Sequence, residues 1–212
     1  MIILNEDEAF AKGGNRNCFV SPIDNNRCLK VVHKSLQEDA KKNAAWYKKF
    51  KPKSYFDDNL REERAYQQNA LNVSHESSVW NHLAKWYGMI ETNLGPASET
   101  ELIRNNDEIA ETLESYLFRE GLTDEINESI KLFEAWLRKH LVLTKNLIPH
   151  NIVLQKNNGI IILKIIDGLG CKALVPLPKY SKYFARIYVE RRIQLMWSRI
   201  NWDLSGRKGN WK

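Results

Sequence analysis

The residues best suited to chemistry lie in the second half of the chain, where an amide and a carboxylate flank two apolar runs. Asn151 precedes one apolar run, and Asp167 ends the next, sixteen positions later. A short hairpin would bring the two side chains together, and Mg²⁺ takes carboxylate and amide oxygens along with phosphate oxygens and water. Gly168 and Gly170 would give the following turn its backbone freedom. An ordinary hairpin with an Asx turn is the alternative interpretation of this stretch taken alone.

The spacing of these residues resembles the catalytic loop and the metal-binding segment of a protein kinase. Leu147, Pro149 and Asn151 keep the register of the kinase loop, and Asp167 stands where the Asp-Phe-Gly segment begins. The resemblance implies that Asn151 and Asp167 bind the metal. Asn146 occupies the position of the catalytic Asp, and an amide can orient an acceptor hydroxyl but cannot take its proton.

Two further departures weaken the catalytic pattern. Thr144 and Lys145 replace the usual His-Arg pair, and Ile148 replaces a Lys that often follows the catalytic Asp. The second change removes a positive charge that would stabilise a transferred phosphoryl group. The general base is missing because residue 146 is Asn. Only 42 residues follow Gly170, which we expect to be too few for a full activation segment and peptide-binding helices, so nucleotide binding is favoured over peptide phosphorylation.

A lysine near the N-terminus would supply the phosphate-binding part of such a site. Residues 28–32 resemble the third kinase strand, whose lysine, here Lys30, holds the α- and β-phosphates. A buried lysine needs a carboxylate to remain charged and oriented. We predict Glu63 as this partner, with Glu62 as the alternative, and a solvated acidic helix face as the alternative for both.

The other predicted nucleotide contacts come from a glycine-containing turn and from a hinge. Gly13 and Gly14 stand where the kinase glycine-rich loop lies, but the full three-glycine spacing is absent. Phosphate contact is therefore predicted to depend on Arg16 and on backbone N–H groups. The resemblance implies that backbone groups of Glu101 and Ile103 hold adenine.

Turn residues and hydrophobic periodicity predict how the first half of the chain positions these groups. Residues up to about 35 are predicted to form strands, and two more strands are predicted at 85–91 and 98–103, which gives a sheet of five strands. Residues 36–72 are predicted to be helical, with a second helix beginning near the acidic pair Asp57 and Asp58.

After residue 105 the hydrophobic pattern becomes mainly helical. The predicted elements are a helix with Ile109, Leu113, Tyr116 and Leu117 on one face, a helix with its apolar face between 126 and 141, two short strands at 152–154 and 159–166, and a helix from about 180 to 200. We predict an α+β, bilobal, protein-kinase-like fold that binds nucleotide between its lobes. The N-lobe, 1–103, is an antiparallel sheet with a helix, and the reduced C-lobe, 104–212, is mainly helical.

The element order and several local motifs most closely resemble the PhoP regulatory network protein YrbL family, over nearly the whole chain. The motif residues are Arg16, Cys18, Phe19, Pro22, Lys30, Leu147, Pro149, Asn151, Ile152, Leu174, Pro176 and Leu177. Members of this family are small, kinase-like by fold and mostly without an assigned substrate. The resemblance implies ATP and Mg²⁺ as cofactors. Two functions stay open: a slow phosphotransferase, or a pseudokinase acting as a nucleotide-responsive regulatory module with a protein partner.

Composition narrows the class of protein without selecting a ligand. The formal net charge of +6 suits an anionic ligand such as a nucleotide, a phosphoprotein, nucleic acid or a membrane headgroup. The three cysteines form no CxxC pair, which argues against a disulfide framework or a zinc site and fits a reducing cytoplasm. No segment approaches the ~20 apolar residues of a membrane span, so we expect neither secretion nor membrane insertion.

Basic aromatic segments could also contact nucleic acid. The C-terminal helix carries Lys182, Arg186, Arg191, Arg192 and Arg199. We predict that its aromatic side chains pack inward while its charges are solvated, which makes nucleic acid a disfavoured partner. The run 48–53 is predicted to be a mobile charged loop. His140 and His150 are predicted to have structural roles.

Overall fold

The computed structural model describes residues 1–33, 57–74, 76–173 and 175–211. The predicted charged loop at 48–53, the segment 36–56 of the predicted helical region, and the motif residue Leu174 therefore lie outside the described residues.

The chain packs as two units. The first unit contains Met1–Arg64 and Lys85–Leu102, and the second contains Ala65–Ala84 and Ile103–Lys212. Residues 65–84 pack with the second unit, which differs from the single boundary predicted after residue 103.

A five-stranded antiparallel sheet forms the centre of the first unit, as the strand pattern predicts. Its strands are β1 (Ala11–Lys12), β2 (Arg16–Val20), β3 (Arg27–Val32), β4 (Trp86–Thr92) and β5 (Gly95–Glu101), in the order β1-β2-β3-β5-β4. Alternation along the strands buries Phe19, Leu29 and Val31 in one apolar cluster. Lys30 therefore lies on the opposite face, paired with Cys18 on β2 and Ser98 on β5.

Helix α1 (Asp58–Tyr66) begins where the acidic pair predicts a helix start. The Asp57 carboxylate accepts hydrogen bonds from the backbone N–H groups of Asn59 at 2.9 Å and Leu60 at 3.1 Å. These bonds satisfy N–H groups that have no partner inside the helix. Asp57 thereby sets the start of the helix that carries both candidate partners of Lys30.

The turn between β4 and β5 is tighter than predicted. Strand β5 begins at Gly95 rather than at Ser98, because the side chain of Thr92 closes a two-residue turn. Its hydroxyl donates to the Gly95 carbonyl at 2.6 Å and accepts from the Leu94 N–H at 3.2 Å. A local side-chain bond therefore extends the sheet.

The second unit combines helices with two short hairpins. Its strands and α-helices are β6 (Arg104–Asn105), β7 (Glu108–Ile109), α2 (Leu113–Glu120), α3 (Asp124–His140), β8 (Ile152–Asn157), β9 (Ile160–Ile165) and α4 (Lys182–Leu204). The buried side chains of Ile126, Ile130 and Phe133 confirm the predicted apolar face of α3. Among the described residues, no helix has the length and apolar character that crossing a membrane requires.

The predicted position of Ile109 on the first helix of this unit is wrong. Ile109 lies in β7, which pairs with β6, and helix α2 starts only at Leu113. The reason is the N-cap Thr112, whose hydroxyl accepts a hydrogen bond from the Ser115 N–H at 3.1 Å. The apolar periodicity begins at Ile109, but the cap makes the helix start at Leu113.

Candidate functional site

Lys30 on β3 forms a buried ion pair with Glu62 on α1. The distance from Lys30 Nζ to Glu62 Oε1 is 2.6 Å, and the two side chains are 7% and 5% exposed. The prediction of Glu63 as the partner of Lys30 is therefore wrong, and the alternative, Glu62, makes the contact. Glu63 is half-buried.

The orientation of α1 about its own axis explains why Glu62, and not Glu63, meets Lys30. Asn59 lies three residues before Glu62, so the two side chains share one face of the helix. The Asn59 amide donates to the backbone carbonyls of Lys30 at 2.8 Å and Pro96 at 3.2 Å, which holds this face on the sheet. Glu63 follows Glu62 by one residue, a rotation of about 100° around the helix axis. Its side chain consequently leaves the face that meets Lys30.

Arg16 contacts the second oxygen of the same carboxylate. Its Nη1 lies 2.6 Å from Glu62 Oε2 and donates to Asn59 Oδ1 at 3.3 Å. The guanidinium predicted to contact phosphate is thus engaged with Glu62 and only 11% exposed. Lys30, Arg16 and Glu62 together carry one net positive charge, a sign that suits an anionic ligand.

The glycine-containing turn connects β1 and β2. The N–H of Gly13 donates to the carbonyl of Arg16 at 2.9 Å, so it closes the turn. A Cβ added at Gly14 would meet no atom within 4 Å. Phosphate binding by this turn stays a prediction.

The predicted hinge follows β5. The N–H of Glu101 donates to the carbonyl of Lys85 at 2.8 Å, and the carbonyl of Ile103 accepts from the N–H of Ala110 at 2.9 Å. No acceptor within the described part of the chain pairs with the N–H of Ile103. That N–H is the donor that the predicted adenine contact requires.

Asn151 ends a short 3₁₀-helix, Pro149–Asn151, directly before β8. Its amide nitrogen donates to the backbone carbonyl of Asn146 at 3.0 Å, which fixes the orientation of the side chain. None of the described residues donates to Asn151 Oδ1. The side chain is therefore held by its nitrogen, and its oxygen has the chemistry of a ligand for a hard cation.

Asp167 and Gly168 lie against this loop within the second unit. The carbonyl of Gly168 accepts from the N–H groups of Lys145 at 2.7 Å and Asn146 at 3.1 Å. The N–H of Gly168 donates to Asp167 Oδ1 at 2.6 Å, which orients the carboxylate. The structure thus brings Asn146, Asn151 and the Asp167–Gly168 peptide together, and metal binding by Asn151 and Asp167 stays a prediction.

Few side chains in this part of the second unit could bind a metal ion. The described residues contain no group of three or more His, Cys, Asp or Glu side chains that could hold a metal. One amide and one carboxylate fit Mg²⁺, which keeps several waters and takes phosphate oxygens as further ligands. The residues present therefore fit a magnesium ion that arrives with a phosphate group.

Gly168 permits the close approach of these two segments. Its φ is +85°, and an added Cβ would clash with the carbonyl oxygen of Asn146 and lie 2.9 Å from Asn151 Nδ2. Gly159, in the β8–β9 turn, has a similar φ of +78° with no atom within 4 Å of an added Cβ. The two glycines differ mainly in the space around them.

Replacing Gly168 by Ala is expected to lower the free energy of unfolding by about 1–3 kcal/mol more than Gly159→Ala, because only the first change also overpacks the loop. Both variants share the cost of a left-handed alanine. Urea denaturation of the two variants gives the comparison. Equal losses would show that the contact between Gly168 and the loop is not tight.

The other residues considered from the sequence have structural contacts. The Cys28 thiol, hydrogen-bonded with Cys18 and buried, has a pKa raised well above its usual value, so it packs as a small apolar group. His140 contacts the Ser78 hydroxyl at 3.2 Å. His150 contacts a carboxylate oxygen of Glu114 at 3.3 Å.

Several polar side chains of helix α4 form ion pairs and hydrogen bonds within the second unit. The guanidinium of Arg199 lies 2.8 Å from Glu114 and 3.0 Å from Asp203, and the Trp197 indole donates to Glu134. Arg192 donates to the hydroxyl of Tyr188. The inward contacts of Tyr188 and Trp197 agree with the predicted packing of the aromatic side chains, but Tyr183 is exposed. The prediction that the charges are solvated holds for Arg186 and Arg191 and is wrong for Arg199, whose side chain is 14% exposed.

Two residues with contacts to the candidate groups are not predicted from the sequence. In the first unit, Asn59 holds α1 on β3, and its position three residues before Glu62 is the signal that could identify it. In the second unit, Tyr188 contacts the backbone of Thr144, and no local sequence signal identifies that long-range contact.

Comparison with solved structures shows that the fold is kinase-like. The chain is similar to Rad53 residues 1–466 in complex with AMP-PNP, with a TM-score of 0.53, 13% identity, and coverage of 94% of this chain. It spans about half of that protein, 47%. A second similar structure is the kinase domain of PknI from Mycobacterium tuberculosis, with a TM-score of 0.51, 12% identity, and coverage of 97% and 75% of the two chains.

The chain belongs to the PhoP regulatory network protein YrbL family, whose match covers residues 2–201. It is 22% identical to the YrbL proteins of Escherichia coli and Shigella flexneri, over 94% of this chain and 86% of each relative. Both relatives are described as uncharacterized.

Proposed function

We propose that this protein binds ATP together with Mg²⁺ and transfers the phosphoryl group only slowly. The observation that carries the proposal is the buried ion pair between Lys30 and Glu62. In the proposed complex, Lys30 contacts the phosphates and Glu62 orients Lys30. This assignment replaces Glu63 with Glu62 and otherwise follows the kinase resemblance.

The energetics of the pair support a role beyond stability. Removing two opposite charges from water is costly, and an apolar pair of similar volume is often as stable. The pair nevertheless holds an ammonium group in one geometry, with both carboxylate oxygens of Glu62 engaged by Lys30 and Arg16. A fixed ammonium group is what positioning a phosphate requires.

The metal would be held by Asn151 and Asp167. The bond from Asn151 to the Asn146 carbonyl and the bond from Gly168 to Asp167 orient the two side chains before any ligand binds. Mg²⁺ supplies charge neutralisation for the phosphate groups when bound. The adenine ring would be held by backbone groups of Glu101 and Ile103, with Gly13, Gly14 and Arg16 near the phosphates.

Asn146 limits the chemistry that this site can perform. Its side chain is exposed and would lie near the acceptor, but an amide cannot accept the proton of the acceptor hydroxyl. A general base contributes typically about 10²- to 10⁴-fold to the rate. Phosphoryl transfer depends mainly on positioning and charge neutralisation, so a slow reaction is still consistent with the site.

A regulatory module is the second candidate function, and Asn146 is the observation that favours it. A chain without its general base can still change its stability and its surface when nucleotide binds. The output would then be a contact with a protein partner. The family description, which names a regulatory network, is consistent with this function.

Saturating ATP with Mg²⁺ is expected to stabilise the protein, by about 2.7 kcal/mol at 100 times the dissociation constant. Thermal unfolding with ATP, ADP and GTP, each with and without Mg²⁺, measures the effect. Lys30→Met should weaken binding under both conditions, whereas Asp167→Asn should remove only the part that depends on Mg²⁺. Absence of any shift and of any calorimetric heat in the unmodified protein would contradict nucleotide binding.

A further inference from the structure

The hydroxyl of Tyr188 on α4 makes three hydrogen bonds inside the second unit. It donates to the carbonyl of Thr144 at 2.9 Å, and it accepts from the N–H of Lys172 and from Arg192 Nη2, each at 2.9 Å. A phenol has one donor and two acceptor positions, so all three are used. Backbone N–H and guanidinium groups can only donate, which directs the phenol proton to Thr144.

Two of these partners are the backbones of the segments that form the candidate metal site. Thr144 lies two residues before Asn146, and Lys172 follows the Asp167–Gly168 segment. The same two segments are joined by the antiparallel bridge between Thr144 and Leu169. Tyr188 thus connects two stretches of backbone that also pair directly with each other.

We propose that Tyr188 is a positioning residue, whose hydroxyl holds the segments bearing Asn151 and Asp167 in register for metal binding. The proposal rests on the proposed function, because it names what orients that metal site. Tyr188 would act through backbone groups and would not touch nucleotide or metal itself.

The surroundings of the ring support this role. Tyr188 is 9% exposed, and Arg192 lies over its ring at 4.8 Å from the centroid, so the phenol has little freedom to turn. Burial raises the pKa of Tyr188 above its usual value, although Lys172 and Arg192 oppose the shift. The phenol therefore stays protonated near neutral pH and keeps its donated bond. Thr144 is itself buried, which leaves its carbonyl dependent on partners within the protein.

The test compares Tyr188→Phe with Tyr183→Phe, which removes the same hydroxyl from a 66% exposed tyrosine on the same helix. Titration of Mg²⁺ at fixed ATP gives the apparent metal affinity, and titration of ATP without Mg²⁺ gives the metal-independent affinity. Tyr188→Phe should weaken the apparent metal affinity about 10-fold or more, the usual effect of losing an outer-shell partner. The metal-independent affinity should match that of Tyr183→Phe. A general loss of stability would not separate the two affinities in this way.

A second variant and a second measurement complete the test. Arg192→Met keeps the bond from Tyr188 to Thr144, so its loss of metal affinity should be smaller than that of Tyr188→Phe. Hydrogen exchange of the nucleotide-free protein should be faster at the amides of Asn146 and Gly170 in Tyr188→Phe than in Tyr183→Phe.

The outcomes separate the two proposals. If the unmodified protein binds ATP with Mg²⁺ and both phenylalanine variants behave alike, the role of Tyr188 is overturned while the proposed function stands. If the unmodified protein binds no nucleotide, the proposed function is overturned. Hydrogen exchange then decides whether Tyr188 holds the two segments: faster exchange supports that role and unchanged exchange refutes it.

Discussion

Glu62→Gln is expected to lower the free energy of unfolding by about 3–5 kcal/mol, the usual cost of removing one member of a buried ion pair. The substitution keeps the shape of the side chain and removes its charge. Lys30 and Arg16, which contact the two oxygens of Glu62 at 2.6 Å each, would then face a neutral amide. Denaturant unfolding, analysed for both midpoint and slope, measures the loss.

Glu63→Gln is the matched control for this substitution. The residue is adjacent and of the same type, but it is half-buried and lies off the face that meets the sheet. Its replacement should change stability much less, by about 0.5 kcal/mol, because Lys30 and Arg16 contact Glu62 instead. Adding Lys30→Met to Glu62→Gln should recover part of the loss, because one of the two buried cations is removed. Similar losses for Glu62→Gln and Glu63→Gln would refute the assigned ion pair.

Asn146→Asp is expected to raise ATP turnover or autophosphorylation by up to about 10²-fold, since a carboxylate at this position can accept a proton. The backbone of Asn146 is already fixed by bonds to the Gly168 carbonyl and from the Asn151 amide. The side chain is exposed, so the substitution should leave the fold and the nucleotide affinity roughly unchanged. Transfer of the γ-phosphate, followed with labelled ATP, provides the measurement.

The double variant Asn146→Asp with Asp167→Asn controls for contaminating kinases. A gain that depends on the proposed metal site should disappear in it. If ATP binds normally but no variant turns over, the acceptor hydroxyl does not come within hydrogen-bond reach of residue 146. The regulatory binding module would then be the better description of this protein.

Much of the first unit could be predicted from the sequence because its signals are local. Short apolar stretches in β2 and β3, with turn residues between them, indicate the strands, and the acidic pair at residues 57 and 58 marks the start of α1. The spacing of Leu147, Pro149 and Asn151 likewise identifies the loop by short-range pattern alone. These features depend on period and on backbone preference within a few residues.

The predicted boundaries of α2 and β5 are wrong because a weak local signal competes with a stronger one. The apolar periodicity through Ile109 is compatible with a helix, but the Thr112 cap and the β6–β7 pairing determine where α2 begins. The start of β5 at Gly95 similarly depends on a bond made by Thr92, since the hydroxyl closes a turn that the residue types alone leave open.

The sequence by itself determined the class of fold and the family, and it indicated that Lys30 pairs with a glutamate on the following helix. Only the tertiary structure decided which glutamate meets Lys30, because one residue along a helix rotates a side chain by about 100° and the phase depends on how Asn59 anchors α1. It also decided that Gly168 must lack a side chain and that Tyr188 contacts the loop, since both depend on residues distant in the chain. Long-range contacts select among locally equivalent residues, and sequence periodicity carries no information about that choice.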